Sequence, residues 1–331
     1  MGAKPVIAFV TGGYSSESVI SYKSAVTIEK NLDREKFDVY TIDVRPEGWT
    51  YEYENGKVQV DKDDFSILLT GKKIWFDAML IGIHGTPGED GKLQGFLDLH
   101  NIPYTSCDAA TSAITFNKRY TVAVAAMAGI PTAKSVHLFS DARLTADEIA
   151  AQVKFPVFVK PNNGGSSIGM SKINAAEELP AALDKAFKED TQVLVEELIP
   201  GREFTVGVYR SVKGITVLPI TEVISKNDFF DFEAKYEGMS REITPAGVSE
   251  EIAEKIRATA KKVFQVFNCR GVVRIDFIYN EQAGQPFLLE INTVPGQSEA
   301  SIVPQQVKAN GLTLKEFYTA LIEDALSRKH K

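Results

Sequence analysis

Cysteine is scarce in this 331-residue chain. There are two, Cys107 and Cys269, and no Cys-x-x-Cys pair. That excludes a disulfide scaffold and the common paired-cysteine zinc or redox motifs, and it fits a reducing compartment. Long apolar runs are absent too: the stretch 77–83 falls far short of the roughly 18 residues a membrane span needs. The opening MGAKPVIAFVTGG has one lysine and a five-residue apolar run ending in glycines, without the extended apolar core of a secretory signal. Basic excess is missing, with 37 Lys and Arg against 44 Asp and Glu for a net charge of −7. A nucleic-acid or anionic-membrane surface is therefore not expected. The 24 glycines and 14 prolines are scattered, and no repeat of 20–50 residues is visible. These absences leave a soluble, cytoplasmic globular protein as the expectation.

What is present reads as alternating α/β layers. At about 150 residues per domain the length allows two or three domains. The pattern predicts a buried strand at 6–10, a helix at 17–31, a strand at 37–44, a hairpin over 49–60 around Asn55-Gly56, a buried strand at 77–83 and a helix at 93–100. The run Thr105-Ser106-Cys107-Asp108 breaks this pattern, so the first unit is 1–106. One helix is predicted over 109–128, then strands at 136–139, 157–159 and 171–173 with helices at 145–153 and 175–188. Strands resume at 192–199, 203–210 and 215–223. The segment 224–247 is polar and irregular, a length of loop that in compact proteins is usually a lid or a disordered stretch. A long helix at 249–267, strands at 271–279 and 286–292 and a helix at 312–328 complete the chain. The three units are 1–106, 107–195 and 196–331.

The most informative segment pairs 272–278 with 287–292. Side chains alternate along a strand, so Arg274 and Asp276 share a face, as do Leu288, Glu290 and Asn292 in the next strand, with Phe287, Leu289 and Ile291 opposite. If the strands pair, Arg274, Asp276, Glu290 and Asn292 meet. Two carboxylates and an amide oxygen are hard ligands suited to Mg²⁺ held together with a substrate phosphate, and an arginine beside them suits developing negative charge. A buried ion-pair network of Arg274 with Asp276 or Glu290 is the competing reading. The sharp turn Asn292-Thr293-Val294-Pro295-Gly296 favours the first, because Gly296 can bring a backbone N–H close to a ligand.

Residues 160–171, KPNNGGSSIGMS, form a Gly/Ser-rich turn between two strands. Its backbone N–H groups could wrap phosphate oxygens beside the Lys160 charge, or it could be an ordinary hairpin turn. It is not a P-loop, because no Gly-Lys-Ser/Thr closes it. Near the N-terminus TGGYSSE (11–17) and HGTPGEDGKLQG (84–95) are glycine turns at the ends of strands, where α/β sheets bind ligands. Neither is Gly-x-Gly-x-x-Gly. Glu17 could complement the helix dipole or hold a substrate ammonium; His84 could be structural or catalytic. Lys118 and Lys235, taken singly, read as solvated surface residues.

Together with VEELIPGREFTVGV, DFEAKYEGMSREITPAG, GVVRIDFIYN and LLEINTVPGQSEASIVP, these motifs stand in one order from residue 6 to 304. In that order they strongly resemble the D-alanine–D-alanine ligase family of the ATP-grasp superfamily. The resemblance implies an α/β fold. It would comprise an N-terminal Rossmann-like parallel-sheet domain and two ATP-grasp subdomains holding the nucleotide between their sheets. It implies ligation of two D-alanine molecules through an acyl phosphate, with ATP as co-substrate, two Mg²⁺ ions (Mn²⁺ able to substitute), and a homodimer. Glu17 would hold the ammonium of the first D-alanine, with Ser166 and Tyr236, and His84 would lie near its carboxylate. Lys118, Lys160, Ser167 and Lys235 would contact phosphates. Glu196, Glu197, Leu198 and Ile199 would line the adenine, and Glu203 would take the ribose. Asp276, Glu290 and Asn292 would bind the metals, Arg274 and the Gly296 N–H would stabilise the tetrahedral centre, and Ser301 would hold the second carboxylate. The 224–247 loop would be the lid.

The chain departs from the family pattern at Ser18-Val19, where relatives often carry charge. It departs also at Glu197, where a lysine is common, and at Gln297-Ser298, which replace an apolar residue and a threonine. Another ATP-grasp ligase would share the metal face and lysines without the set Glu17, Ser166 and Tyr236. A D-lactate-using variant commonly lacks the lid tyrosine, and a non-catalytic nucleotide-binding module would be expected to lack a metal ligand.

Overall fold

The computed structural model describes residues 3–142, 144–165, 168–225 and 240–328. Its first sheet contains β1 (Val6–Gly12), β2 (Asp38–Arg45), β3 (Gly48–Tyr53), β4 (Gly56–Asp61), β5 (Ser66–Leu69), β6 (Lys72–Trp75) and β7 (Ala78–Ile81), in the order β6-β5-β4-β3-β2-β1-β7. Only the centre is parallel, β1 with β2 and β7. From β2 outward the neighbours are antiparallel, because connections of a few residues can reverse a strand but cannot carry a crossover. The β5–β6 hairpin is one the sequence pattern does not predict.

Helices α1 (Ser18–Asn31) and α2 (Lys92–Leu99) cover opposite faces of this sheet. Ile7, Phe9 and Leu80 pack with Ala25 and Ile28 of α1. Ala8, Val10, Met79 and Ile81 pack with Leu93 and Leu97 of α2. Burial on both faces explains why β1 reads as a continuous apolar run.

The helix expected over 109–128 is two, α3 (Ala109–Phe116) and α4 (Lys118–Met127). Asn117 separates them: it leaves helical geometry, and its side-chain oxygen accepts from the Tyr120 N–H at 3.1 Å, capping α4. Beyond α4 lies the second sheet, β8 (Ser135–Phe139), β9 (Val157–Pro161), β10 (Ser171–Ile173) and β11 (Gln192–Glu197), fully antiparallel in the order β10-β9-β11-β8. Helices α5 (Ala146–Ala150) and α6 (Leu179–Ala186) bury Val136, Leu138, Val157, Val159, Val193 and Val195 on one face. Alternation turns Phe158, Lys160, Leu194 and Glu196 to the other.

The third sheet has β12 (Arg202–Ser211), β13 (Gly214–Val217), β14 (Thr221–Ser225), β15 (Ser240–Ile243), β16 (Val272–Asn280) and β17 (Gln285–Asn292). The order is β15-β14-β12-β16-β17, with β13 pairing with β12. The strand predicted over 215–223 is thus two strands that both pair with β12; Pro219, with no N–H for a ladder, lies between them. The ends of the segment 224–247 are likewise laddered, Ser225 opposite Ser240.

One face of this sheet packs on α7 (Glu250–Val266), whose Ala253, Ile256, Ala260, Val263 and Phe264 recur at helical spacing. Cys107, Ala125 and Ile130 join that same core, so the α3–α4 region packs on the third sheet rather than the second. Two further helices close the chain, α8 (Ile302–Ala309), absent from the sequence pattern, and α9 (Leu314–Leu326). Phe317, Leu321 and Ile322 of α9 are buried against Ile7, Phe9 and Leu80 of the first sheet. Among the described residues no helix is long and apolar enough to cross a membrane.

Candidate active site

Strands β16 and β17 pair so that Arg274 faces Asn292 and Asp276 faces Glu290. The four polar groups therefore share a face, as their spacing predicts. The apolar partners do not follow strict alternation. A bulge leaves Leu289 unpaired, because Asp276 is opposite Glu290 while Phe277 is opposite Leu288. Leu288 consequently joins Ile291 in the core, while Leu289 lines the cavity beside Glu290. The simple parity that grouped Leu288 with Glu290 and Asn292 fails at this residue.

Arg274 donates through Nε to Asp276 Oδ1 at 2.9 Å and through Nη2 to Asp276 Oδ2 at 2.7 Å, and it reaches Glu290 Oε1 at 3.4 Å. The Thr205 hydroxyl also donates to Asp276 Oδ1. Burial works against the Arg274 charge, but Asp276, Glu290 and Glu89 outweigh it and hold the guanidinium well above its ordinary pKa. The ion-pair network and the cavity are thus one feature: these groups lie on the wall of a cleft of about 950 Å³ between the second and third sheets and the first-sheet turns. Among the described residues no three His, Cys, Asp or Glu side chains gather as a metal cage. The donor set of Asp276, Glu290 and the Asn292 amide is therefore a partial one. It fits a hard cation whose remaining ligands are phosphate oxygens and water.

The opposite wall carries Lys160, whose Nζ donates to Glu196 Oε1 at 2.9 Å in a largely buried pair. Leu194 is the cross-strand partner of Lys160, and Glu197 ends β11 with Oε1 accepting from the Lys154 N–H at 2.9 Å. Lys118 at the start of α4 donates to the Gly164 carbonyl at 2.7 Å, tying the helix to the Gly/Ser turn. Leu198, Ile199 and Glu203 continue the wall.

At the first-sheet end, the Glu17 carboxylate occupies the space beside Gly85 and Gly165, where a Cβ would lie under 3 Å from its oxygens. His84 is buried, its Nε2 2.9 Å from Ser24 Oγ and its backbone N–H donating to Ser21 Oγ at 3.0 Å. Burial lowers its pKa to about 4, so the ring is neutral at physiological pH. The Gly296 turn and Ser301 meet at the far side, where a Cβ on Gly296 would lie 2.9 Å from Ser301 Oγ.

Every sequence-predicted site residue that is described lines this one cavity: Glu17, His84, Lys118, Lys160, Glu196, Glu197, Leu198, Ile199, Glu203, Arg274, Asp276, Glu290, Asn292, Gly296 and Ser301. Ser166, Ser167, Lys235 and Tyr236 lie outside the described residues.

The sequence pattern passes over a further cavity-lining acid, Glu89. It accepts from the Gly85 N–H at 2.7 Å and the Val294 N–H at 3.2 Å. Burial, then the neighbouring Glu17 charge, push its pKa up to about 8. Its signal was an acid inside a glycine turn, which alone does not separate a buried group from a solvated one. Glu242, half-buried and held by Gln305 at 2.9 Å, is also raised, by burial.

Two family models match the chain, D-ala D-ala ligase N-terminus over residues 6–107 and D-ala D-ala ligase C-terminus over 124–323. Among curated relatives, a D-alanine–D-alanine ligase of Flavobacterium johnsoniae is 44% identical over 97% of this chain and 99% of its own length. One from Parabacteroides distasonis is 42% identical over 98% and 99%. Solved structures agree in fold. The VanG D-Ala:D-Ser ligase of Enterococcus faecalis superposes with a TM-score of 0.85 at 30% identity, covering 97% of this chain and 99% of that one. The D-alanyl-alanine synthetase A of Vibrio cholerae gives 0.85 at 30%, covering 99% and 100%.

Proposed function

The chain belongs to the D-alanine–D-alanine ligase family, an ATP-grasp family that joins two D-alanine molecules at the expense of ATP for peptidoglycan synthesis, and from that premise we propose how its residues divide the work. The observation that carries the assignment is the convergence of the polar strand pair, the lysine wall and the first-sheet turns on one cleft.

A carboxylate resists attack by an amine and must first be activated. Glu17, with Ser166 and Tyr236, holds the ammonium of the first D-alanine, while His84, neutral and not charged, lies near its carboxylate. The adenine lies along Glu196 to Ile199 and the ribose at Glu203. Lys118, Lys160, Ser167 and Lys235 hold the phosphates. Asp276, Glu290 and Asn292 would hold two Mg²⁺ ions, or Mn²⁺, which when bound supply charge neutralisation between phosphate and carboxylate.

Transfer of the γ-phosphoryl group gives an acyl phosphate and ADP. The amine of the second D-alanine, its carboxylate at Ser301, then attacks. Arg274 and the Gly296 N–H meet the developing oxyanion, and phosphate leaves. A closed lid would exclude water from the acyl phosphate, and 224–247 is the segment we assign to it. The three-unit division and a cytoplasmic location, read from the sequence pattern, and a homodimer, which rests on the family resemblance, belong to the same reading.

Incubation with ATP, Mg²⁺ and D-alanine tests the proposal. The expected result is phosphate release that requires D-alanine, together with the dipeptide. ATP binding without turnover would replace it with a nucleotide-binding module.

A further inference from the structure

The turn that comes after β17 is fastened from behind, and the fastening comes from the first unit of the chain. Glu89 stands in the glycine turn after β7 and is itself buried. Its Oε2 accepts from the Gly85 N–H at 2.7 Å, within its own turn. Its Oε1 accepts from the Val294 N–H at 3.2 Å, on the turn after β17. Ser24 of α1 makes a parallel tie: its hydroxyl accepts from the Gln297 N–H at 3.0 Å and pairs with His84 Nε2 at 2.9 Å. Gln297, one of the departures from the family pattern, locks the same turn. Its Nε2 donates to the Pro295 carbonyl at 3.1 Å, and its Oε1 accepts from the Tyr318 hydroxyl at 3.1 Å.

These bonds decide which backbone group is left to serve a substrate. The Val294 N–H is shared between Glu89 Oε1 at 3.2 Å and Asn292 Oδ1 at 3.1 Å, the Gln297 N–H goes to Ser24, and Pro295 has none. Of these four consecutive residues only Gly296 has an N–H that meets no acceptor among the described residues, and Gly296 lines the cavity. A donor that stabilises an oxyanion works only if it is held in place before the charge develops. A displacement of about 1 Å can cost a hundredfold in rate.

We propose that Glu89 is a positioning residue. It clamps the turn carrying Gly296 to the turn carrying His84 and Gly85, and so holds the oxyanion donor in register with the first-substrate end of the cleft. The proposal rests on the assignment of Gly296 as that donor. One carboxylate with two acceptor oxygens spans both turns. An amide cannot, because its NH₂ cannot accept from an N–H.

The test is steady-state ligation of D-alanine by wild type, Glu89→Gln and Glu89→Asp, with the KM for ATP and the thermal midpoint measured on each. Gln keeps the size and loses one acceptor. Asp keeps the carboxyl group and its two oxygens but is one methylene too short to span. The expected result is a kcat lowered about tenfold or more in both variants, with the KM for ATP within about twofold of wild type. Wild-type kcat in Asp would show that a carboxyl group suffices without the span, and wild-type kcat in both would show that the clamp does nothing; either overturns the proposal. So would a kcat loss matched by an equal loss of ATP affinity, which marks general disruption. Should Glu89→Gln not fold, Ser24→Ala cuts the parallel tie. It carries the same expectation of lowered kcat at unchanged KM for ATP, and an unchanged kcat overturns the clamp. Failure of the ligase reading is distinguishable, because wild type itself would then make no dipeptide.

Discussion

Arg274 and Asp276 sit two positions apart on one strand, and their double hydrogen bond places a permanent positive charge against a carboxylate at the cleft wall. In such a pair the remaining acid is the more informative target. Glu290 lies 3.4 Å from Arg274 Nη2 and is about a third exposed, and partly exposed ion pairs of this kind contribute little to stability. Glu290→Ala should lower turnover by a hundredfold or more, while the urea midpoint stays within about 1 kcal/mol of wild type. Activity near wild type would remove the metal assignment. His84 makes the converse prediction, one about stability. Its pKa is about 6.5 unfolded and about 4 folded. Between those values the unfolded chain binds more protons than the folded one, so stability is full above pH 6.5 and is lost as pH falls through 4. This group alone should remove about 2 kcal/mol between pH 7 and pH 5. Urea unfolding at the two pH values should show that difference shrinking by as much in His84→Gln. Equal differences in both proteins would mean that the ring is not buried neutral.

Elements, more than residues, set what could be read in advance. The polar face of β16 and β17 was legible because alternation is a covalent property of an extended chain. The bulge at Leu289 was not, because an extra residue is decided by the fit of two strands and leaves no mark on either alone. Asn117 likewise separates α3 from α4 within a pattern whose apolar spacing runs straight through it. Helix α8 went unread because eight residues starting Ile302-Val303-Pro304 carry little periodicity; what holds it is Gln306. That side chain is fully buried, accepts from the Gly207 N–H at 2.9 Å and donates to the Thr205 carbonyl and the Thr221 hydroxyl at 3.0 Å. A Cβ on Gly207 would lie 2.7 Å from Gln306 Oε1 and 2.8 Å from Leu218, and both of those side chains are fully buried. Gly207→Ala should therefore destabilise by about 1–3 kcal/mol. It should also raise the KM for D-alanine as acceptor, because Ser301 begins the helix that is pushed away. An unchanged urea midpoint would show that α8 is not fixed by this contact.

At the scale of the whole molecule, the sequence pattern sets 1–106 apart as a unit, yet the core of that unit is finished by the other end of the chain. Phe317 of α9 is fully buried among Ile7, Phe9 and Leu80 of the first sheet. It also packs edge-on against Tyr209 of the third, with ring centroids 5.2 Å apart. No local pattern could reveal this, since an amphipathic helix announces that it has an apolar face and not which sheet receives it. The consequence is mechanical. A helix shared by the first and third sheets ties the first-sheet end of the cleft to the wall that carries Arg274 and Asp276. Phe317→Ala should cost about 3–5 kcal/mol, and the loss should not stay local. Both tryptophans, Trp49 and Trp75, belong to the first sheet, so their fluorescence follows that unit alone, while far-UV circular dichroism follows all three. If α9 completes the first core while bound to the third sheet, both urea curves should shift together in the variant and remain superimposable. A shift in circular dichroism with the tryptophan curve unmoved would mean that the first unit stands without α9, and that the two ends of the chain are packed side by side but not coupled.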